Sequence, residues 1–422
     1  MEFFKIIIWI AYFIGLYIAI FFLMHFLDVK ASLKKDKEQK PLLKTHPLVS
    51  VVIPAFNEEK SIRMTLESAL ALDYPKDKVE ILVINDCSTD RTAEIVKAVI
   101  TEHSNRSIKL VNNPVNKGKA TSMNLAMNML KGEYFACLDA DSIVDKDALK
   151  NSMYTHQQEK PAIVTPVMKV NNPKTLLQKF QRLEYVTAMF VANLVGYLDC
   201  NYVAPGPFSV YKTKIIKDVG GFDEKSIVED QEIAYRVQAK HYKIKQCPRA
   251  FVNTITPENF EGFKKQRNRW SKGTLLNLLK YKRMFLNKKY GDFGVFQLPL
   301  NVLYFLLSML VMTSFFYYIV RPFFNAIYNL YLINFDVLPY LKSFTYSFNP
   351  LQIDITSTFI IYLSLILSIM VLYLASRMGN ESVKKYGLVS IIPYFIMYFV
   401  ITSFINVQVL WELAVGRKTQ KW

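Results

Sequence analysis

The fold of this chain is decided between residues 48 and 85, where the sequence reads Leu48-Val-Ser-Val-Val-Ile-Pro54 and then Val79-Glu-Ile-Leu-Val-Ile-Asn85. Both runs are rich in β-branched residues, and the stretch from Glu59 to Ala71 between them has the periodicity of an amphipathic helix. A strand, a helix and a second strand in this order predict a parallel pair with a right-handed crossover. We therefore expect an α/β domain built on a mostly parallel sheet.

The same alternation continues for about fifty residues beyond the second strand. It predicts a helix at Thr92 to Glu102, a strand at Ile108 to Val111, a helix at Ala120 to Leu130 and a strand at Tyr134 to Leu138. Ligands of such sheets bind beyond the carboxyl ends of the strands. Acidic residues follow the predicted strands at Glu58, Asp86, Asp139 and Asp141, which predicts a functional site at that edge.

The composition predicts that part of the chain lies in lipid, because 51% of the 422 residues are hydrophobic. Ile6 to Leu27 contains no charged side chain and would form a helix of about 33 Å, enough to cross a membrane. A cleaved signal peptide would have a shorter apolar stretch and a small-residue cleavage site, and neither is present. The net charge of +17 suits anionic headgroups, a phosphorylated substrate or nucleic acid.

Three later apolar runs are long enough to cross a membrane, namely Phe293 to Val320, Ile355 to Ala375 and Gly387 to Leu410. The basic segment Lys30 to Lys40 follows the first span, so the positive-inside rule places it and the α/β domain in the cytoplasm. Arg321 to Gln352 suits an external or re-entrant loop. The basic tail after Gly416 favours the cytoplasm, whereas three carboxyl-side spans would place it outside, and the two indications conflict.

Asp139 and Asp141 alternate at the end of the fourth predicted strand. Carboxylate charge beside an apolar strand is costly unless it is paired or bound to a metal. Mg²⁺ and Mn²⁺ prefer such oxygen ligands and are often held by one or two carboxylates together with substrate phosphates. The alternative is that the pair caps a helix beginning near Asp145.

Asp86 precedes Ser88, Thr89 and Asp90, which suit the N-terminus of a helix and leave Asp86 free for a ribose or a base. No GxGxxG or Walker sequence follows the early strands, which argues against dinucleotide binding and P-loop chemistry. Lys117-Gly-Lys119 opens the next predicted helix, where it either meets a phosphate or forms a solvated basic turn.

Two further motifs lie beyond residue 200, between the fourth predicted strand and the later apolar runs. Glu229-Asp230 precedes a helical pattern and is either a general base or an acidic pair that favours the helix dipole. Gln266-Arg-Asn-Arg269-Trp270 suits a phosphate and a sugar or base, and equally a membrane-surface helix with an aromatic anchor. The basic amphipathic stretch from Phe263 to Lys289 is expected on the inner membrane surface.

Taken in order, these motifs resemble family 2 of the inverting nucleotide-sugar glycosyltransferases, in the membrane-embedded branch of poly-N-acetylglucosamine, hyaluronan, chitin and cellulose synthases. The resemblance covers roughly residues 48 to 272, and the flanking spans are similar to those of the poly-N-acetylglucosamine group. The matching motifs are Val51-Val-Ile-Pro-Ala-Phe-Asn-Glu58, Asn85-Asp86, Asn116-Lys-Gly-Lys-Ala120, Asp139-Ala-Asp141, Glu229-Asp230 and Gln266 to Trp270.

The resemblance implies a GT-A nucleotide-sugar-binding domain joined to an α-helical transmembrane region. At matching positions, Phe56 and Asp86 would hold the base and ribose of the donor. Pro54 and Glu58, which lie in the same motif as Phe56, would also contact substrate. So would Lys119, which lies in the motif from Asn116 to Ala120.

The resemblance also implies the chemistry. Asp139 would contact the nucleotide, and Asp141 would ligate a divalent cation, Mg²⁺ or Mn²⁺, on the diphosphate. Asp230 would deprotonate the acceptor hydroxyl as the catalytic base.

Three further residues are implied by the last motif. Gln266 and Arg269 would hold the diphosphate, and Trp270 would lie beside the acceptor sugar. Val228 stands where the family usually has Thr, a departure that should matter little because Asp230 itself is kept. Gly206-Pro-Phe-Ser209 also departs from the common pattern, which affects the expected acceptor preference.

The expected division of the chain follows from these segments. It comprises a transmembrane helix (1–28), a basic linker (29–47), the cytoplasmic GT-A domain (48–262), an amphipathic interface segment (263–291), three transmembrane helices (292–415) and a basic tail (416–422).

The resulting hypothesis is a multi-pass cell-membrane enzyme that transfers sugar from a nucleotide-sugar, with UDP favoured through the family, to a glycan or lipid acceptor. Polymer elongation is the first reading, and a single-addition enzyme similar to ceramide glucosyltransferase is the alternative. Polar residues in the spans fit a glycan path but also fit interhelical hydrogen bonds; they are Gln297, Asn301, Asn406 and Gln408. A transporter or scaffold with an inactive domain is disfavoured by the intact carboxylates.

The expected partners are the donor, the acceptor, the bilayer and a small membrane accessory subunit, without nucleic acid.

Overall fold

The computed structural model describes residues 2–38, 41–338, 355–382 and 390–416. Within them, an α/β domain carries one eight-stranded sheet, and long apolar helices precede and follow it. The strands are β1 (Val49–Ala55), β2 (Val79–Asn85), β3 (Ser107–Asn112), β4 (Tyr134–Cys137), β5 (Ser142–Val144), β6 (Ile163–Val170), β7 (Ser209–Lys212) and β8 (Ile244–Thr254).

The helices fall into three groups along the chain. Those up to the middle of the domain are α1 (Glu2–Glu38), α2 (Ile62–Leu70), α3 (Thr92–Glu102), α4 (Lys119–Met127) and α5 (Ala148–Glu159). The next are α6 (Leu176–Tyr197), α7 (Thr213–Asp218), α8 (Glu229–Ala239) and α9 (Phe260–Lys280). The last are α10 (Leu298–Phe315), α11 (Arg321–Leu332), α12 (Ile355–Met378) and α13 (Phe399–Ala414).

The sheet has the strand order β3-β2-β1-β4-β7-β6-β8-β5. Strands β3, β2, β1 and β4 run parallel, as does the pair β6 and β8, whereas β7 and β5 pair antiparallel with their neighbours. The expected mostly parallel sheet is confirmed. The carboxyl ends of β1, β2 and β4 lie together, and the segments that follow them form the site described below.

Side chains of β1 alternate between the two faces of the sheet, as the pleat requires. Val51 and Ile53 point into a core formed with α2, α3 and α5, while Val52 points into a second core formed with α4, α7 and α8. Helices on both faces therefore bury the whole strand, which explains its continuous run of apolar residues.

The elements predicted up to residue 138 are present. Strand β2 and helix α3 have the predicted bounds, and the others differ by at most three residues at an end. The helix predicted near Asp145 is present as α5, which follows strand β5 and begins at Ala148 behind the N-cap Asp147. Neither Asp139 nor Asp141 therefore caps it.

Four helices among the described residues are long and apolar enough to cross a membrane. They are Trp9–Glu38, Phe293–Leu332, Thr358–Met378 and Ile391–Ala414. The first does not end at residue 28, since α1 continues as an unbroken helix to Glu38 through most of the expected basic linker. Its extension is held by Tyr197, whose hydroxyl lies 2.5 Å from Asp36 Oδ2, and by Lys37, whose Nζ donates to the Arg377 carbonyl over 2.8 Å.

The segment expected to begin a loop at Arg321 is helical. A π-helical turn at Phe316–Val320 joins α10 directly to α11, so the helix extends to Leu332. The rest of the expected loop from residue 339 onward, and the tail from residue 417, lie outside the described residues.

Helix α9 carries the first part of the basic amphipathic segment that starts at Phe263. It packs between α8 on one side and α13 on the other. Two of its basic residues are buried, because Arg267 pairs with Glu184 at 2.5 Å and Lys272 pairs with Glu412 at 3.1 Å. The acidic partners are distant in sequence, so the basic pattern alone could not predict these ion pairs. The expected position of the segment on the inner membrane surface stays a prediction.

Candidate active site

A cavity of about 890 Å³ opens at the carboxyl ends of β1, β2 and β4 and extends between the membrane helices. Every site residue expected from the sequence lines it. These residues are Pro54, Phe56, Glu58, Asp86, Lys119, Asp139, Asp141, Asp230, Gln266, Arg269 and Trp270. The fold thus brings together residues from six separate motifs.

Lys119 links two of these motifs. Its Nζ lies 2.6 Å from Asp139 Oδ1 and 3.2 Å from Glu229 Oε1, and the side chain is 13% exposed. Burial alone would lower the pKa of Lys119, but Asp139 and Glu229 raise it well above its ordinary value. The ammonium is therefore a fixed positive charge between two carboxylates, so the interpretation of a solvated basic turn is wrong.

The pKa values of the adjacent acids Glu229 and Asp230 are shifted in opposite directions. Burial favours the neutral form of Glu229, but Lys119 and Arg269 hold its pKa below the ordinary value. Burial and the charge of Glu229 raise the pKa of Asp230 to about 6, against the opposing pull of Lys119 and Arg269. A carboxylate with a raised pKa in a cavity is suited to accept a proton.

Asp141 lies in a crowded group of carboxylates. Burial, followed by the charges of Asp139 and Glu58, raises its pKa, and its only short contact among the described residues is a 3.0 Å hydrogen bond from Ser142 Oγ. Glu58 is itself raised in pKa by burial and accepts a 2.5 Å hydrogen bond from Ser61 Oγ. Oxygen donors that repel each other in this way favour a divalent cation.

Among the described residues, the group of side chains with metal-ligand spacing is Glu67, Glu102 and His103. It lies on the surface, and Arg63 already pairs with both glutamates, at 2.6 Å from Glu102 and 3.4 Å from Glu67. This group is an ion-pair network outside the cavity.

Asp86 lines the cavity and also holds the segment that follows β3 through three hydrogen bonds. Its carboxylate accepts from Asn113 Nδ2 at 2.7 Å, from Lys117 N at 3.1 Å and from Gly118 N at 2.7 Å. The backbone N–H groups of Lys117 and Gly118 are thus directed at Asp86, which does not fit the idea that they meet a phosphate.

The face of α9 that carries Gln266, Arg269 and Trp270 points into the cavity, as the spacing of three and four residues dictates. Gln266 Oε1 is buried and has no hydrogen-bond partner within the described part of the chain. Behind this face, the Arg267 guanidinium lies 4.3 Å from the centre of the Trp270 ring and bonds to Glu184. This contact fixes the indole at the cavity wall.

Gly206 belongs to the site although its residue type gave no sign of a role. A Cβ at this position would lie 2.7 Å from each carboxylate oxygen of Asp139 and closer still to Lys119 Nζ. The backbone of the loop before β7 therefore rests directly on the ion pair, which only glycine permits.

On its membrane side, the cavity is lined by polar residues of two spans, including Gln297, Asn301 and Asn406. Asn301 accepts from Gln297 Nε2 at 2.9 Å and donates to the Tyr235 hydroxyl at 3.0 Å. Gln408 does not line the cavity and instead bonds to Glu412 at 2.6 Å. Three of the four expected polar residues thus face the cavity, and two of them, Asn301 and Asn406, also form hydrogen bonds to other helices.

This combination of fold and site is matched by known proteins. The family model described as glycosyltransferase-like family 2 matches residues 46–273, which contain all eleven site residues named above. The chain belongs to this family.

Relatives with assigned names point in the same direction. The chain is 34% identical over 230 residues to the poly-β-1,6-N-acetyl-D-glucosamine synthase of Staphylococcus epidermidis, covering 53% of this chain and 54% of that protein. It is 32% identical over 270 residues to the probable glycosyltransferase YdaM of Bacillus subtilis, covering 63% of each. The chain thus spans about half to two thirds of the length of these relatives.

One solved structure matches over nearly the whole length. It is a mannosyltransferase from Pyrobaculum calidifontis in complex with GDP-Man and Mn²⁺, with a TM-score of 0.61, 15% identity, and coverage of 97% of this chain and 100% of that chain. This likeness concerns the fold, and it confirms the expected GT-A domain with membrane helices.

Proposed function

We propose that this protein is a membrane-embedded inverting glycosyltransferase that elongates a β-linked polysaccharide of the poly-N-acetylglucosamine type from a UDP-sugar donor. The observation that carries the proposal is the continuity of the cavity, which joins the carboxylates behind β4 to polar residues of the membrane spans. The family membership and the named synthases among the relatives support the same reading.

In the proposed reaction, the acceptor hydroxyl attacks the anomeric carbon while Asp230 takes its proton. The bond between that carbon and the diphosphate breaks on the opposite face, so one displacement gives one inversion. Arg269 and Lys119 supply positive charge at the cavity wall for the developing charge on the leaving diphosphate. The raised pKa of Asp230, about 6, suits it to act as the base.

A divalent cation fits the chemistry of the site, because Asp139, Asp141 and Glu58 line the same cavity, and burial together with the charges of Asp139 and Glu58 raises the pKa of Asp141. Asp141 would hold the cation, which when bound would neutralise the diphosphate of the donor. We expect EDTA to abolish transfer and added Mg²⁺ or Mn²⁺ to restore it. Full transfer in EDTA would exclude this assignment.

The path for a growing glycan is supported by the polar lining of the spans. Gln297, Asn301 and Asn406 face the cavity at the level of the membrane helices. Sugar hydroxyls need hydrogen-bond partners wherever water is excluded. Amide side chains supply both donors and acceptors for them.

The test is incubation of membranes containing the protein with radiolabelled UDP-N-acetylglucosamine and Mg²⁺, followed by sizing of the product on a gel. Release of UDP together with label in a high-molecular-weight ladder is the expected result. Label in a single organic-extractable species would instead indicate the glycolipid alternative. If UDP is not released from any labelled nucleotide-sugar, the transferase function is refuted.

Repeating the assay with the purified chain in a bilayer tests the expected accessory subunit. Product formation by the chain alone would show that no second subunit is needed. Product only in native membranes would support one.

A further inference from the structure

Gly273 makes an unusually close contact for the interior of a helix. It lies one turn beyond Arg269 in α9 and is buried. A Cβ at this position would lie 2.8 Å from Val228 Cβ and still nearer to Val228 Cγ2. Alanine ordinarily stabilises a helix relative to glycine, so the missing methyl group is explained by the approach of Val228.

Val228 immediately precedes Glu229 and Asp230, the first residues of α8. Its side chain is 6% exposed and fills the gap left by Gly273. The position of Val228 against α9 thus fixes the first turn of α8, and with it the distance between Asp230 and Arg269.

Further contacts between α8 and α9 help to fix the position of one helix against the other. The amide of Gln231 donates to Thr274 Oγ1 at 3.0 Å and accepts from Asn277 Nδ2 at 3.1 Å. The next residue, Glu232, accepts through Oε1 from Lys280 Nζ and the Tyr281 hydroxyl, both at 2.6 Å. Two adjacent residues of α8 therefore contact α9 over two turns of that helix.

Contacts on the opposite face of α9 prevent this helix from moving away from α8. Lys272 pairs with Glu412 of α13 at 3.1 Å, and Ser271 donates to Asn406 of the same helix at 2.6 Å. Arg267 pairs with Glu184 of α6 at 2.5 Å. A methyl group added at Gly273 must therefore displace the first turn of α8, because separating buried ion pairs is costly.

We propose that Val228 and Gly273 are positioning residues for the transfer reaction, and that their contact sets Asp230 at its working distance from the donor-binding face of α9. The inference rests on the transferase function proposed above. It assigns no contact with substrate to either residue.

The experiment is a graded exchange of side-chain volume across this contact in the full-length protein. Gly273→Ala is compared with the double variants Val228→Ala, Gly273→Ala and Val228→Gly, Gly273→Ala. Gly15→Ala is the matched control, because Gly15 is also helical and a Cβ there would have no neighbour within 4 Å. Turnover, UDP affinity and thermal unfolding temperature are measured for each protein.

Displacement of a reacting group by about 1 Å can reduce turnover by about 10²-fold, and this loss is expected for Gly273→Ala. UDP affinity should change much less, because Phe56 and Asp86, which we propose hold the base and ribose, belong to other elements of the cavity wall. The alanine double variant keeps Val228 Cβ and should recover part of the turnover, whereas the glycine double variant should recover most of it.

Two results would overturn the proposal. One is turnover in Gly273→Ala equal to that of Gly15→Ala. The other is a glycine double variant that unfolds at the wild-type temperature and binds UDP but regains no turnover. Absence of transfer by the wild-type protein would refute the proposed function itself, so the two failures are distinguishable.

Discussion

At the scale of single residues, Asp230 can be tested by a substitution that keeps its shape. Asp230→Asn cannot accept the acceptor proton, so turnover should fall by about 10²-fold to 10⁴-fold while UDP binding is retained. Asp218→Asn is the matched control, because Asp218 is exposed at the end of α7. A variant that retained more than roughly a tenth of wild-type turnover would move the base to another carboxylate of the cavity.

The pH dependence of turnover is a second residue-scale prediction. Burial and the charge of Glu229 raise the pKa of Asp230 to about 6, and only its carboxylate form can take a proton. Turnover should therefore be constant above this pH and fall about tenfold for each unit below it. UDP binding over the same range is the control, and a profile that stays flat as the pH falls well below 6 would contradict the assignment.

The sequence predicted which residues meet at the site, because the carboxyl ends of parallel strands lie at one edge of a sheet. It did not predict how their charges pair. Lys119 was interpreted by its local turn, yet its partners Asp139 and Glu229 come from other elements. The importance of Gly206 depends on a close approach that no local pattern encodes.

At the scale of elements, the loop before β7 gives a prediction about donor binding. Gly206→Ala would place a Cβ 2.7 Å from both oxygens of Asp139 and force the Lys119 ion pair apart. Hydrogen bonds to charged groups contribute about 1.5–3 kcal/mol, so UDP affinity should fall by about tenfold to a hundredfold. Isothermal titration of the purified variant measures this, and unchanged affinity would separate the loop from the donor site.

Helix α9 shows what an amphipathic pattern cannot predict at this scale. Its lysines and arginines predict a membrane-surface stripe, but the ion pairs of Arg267 and Lys272 with acids of α6 and α13 join residues that are distant in sequence. Strand positions were easier to predict, because a strand buried on both faces is apolar along its whole length. The extension of α1 to Glu38 was missed for a related reason, since basic residues mark a membrane boundary without ending a helix.

At the scale of the whole molecule, the proposed orientation is tested by labelling from outside the cell. A cysteine replacing Ser32, which is exposed on α1, should be shielded from impermeant thiol reagents if the α/β domain is cytoplasmic. Cys87 should first be replaced, because it is partly exposed whereas Cys137, Cys200 and Cys247 are buried. Labelling after permeabilisation is the positive control, and rapid labelling of intact cells would reverse the orientation.

Helix α9 contacts both the α/β domain and the last described apolar helix, α13, which has a consequence for solubilisation of the enzyme in detergent. Its salt bridge from Lys272 to Glu412 joins the wall of the cavity to the last membrane helix. Detergent that strips annular lipid and relaxes the packing of α13 would then shift Arg269 while leaving the nucleotide pocket intact. Loss of activity on solubilisation, with UDP still bound, would report on lateral pressure in the bilayer, and reconstitution into lipid nanodiscs should reverse it.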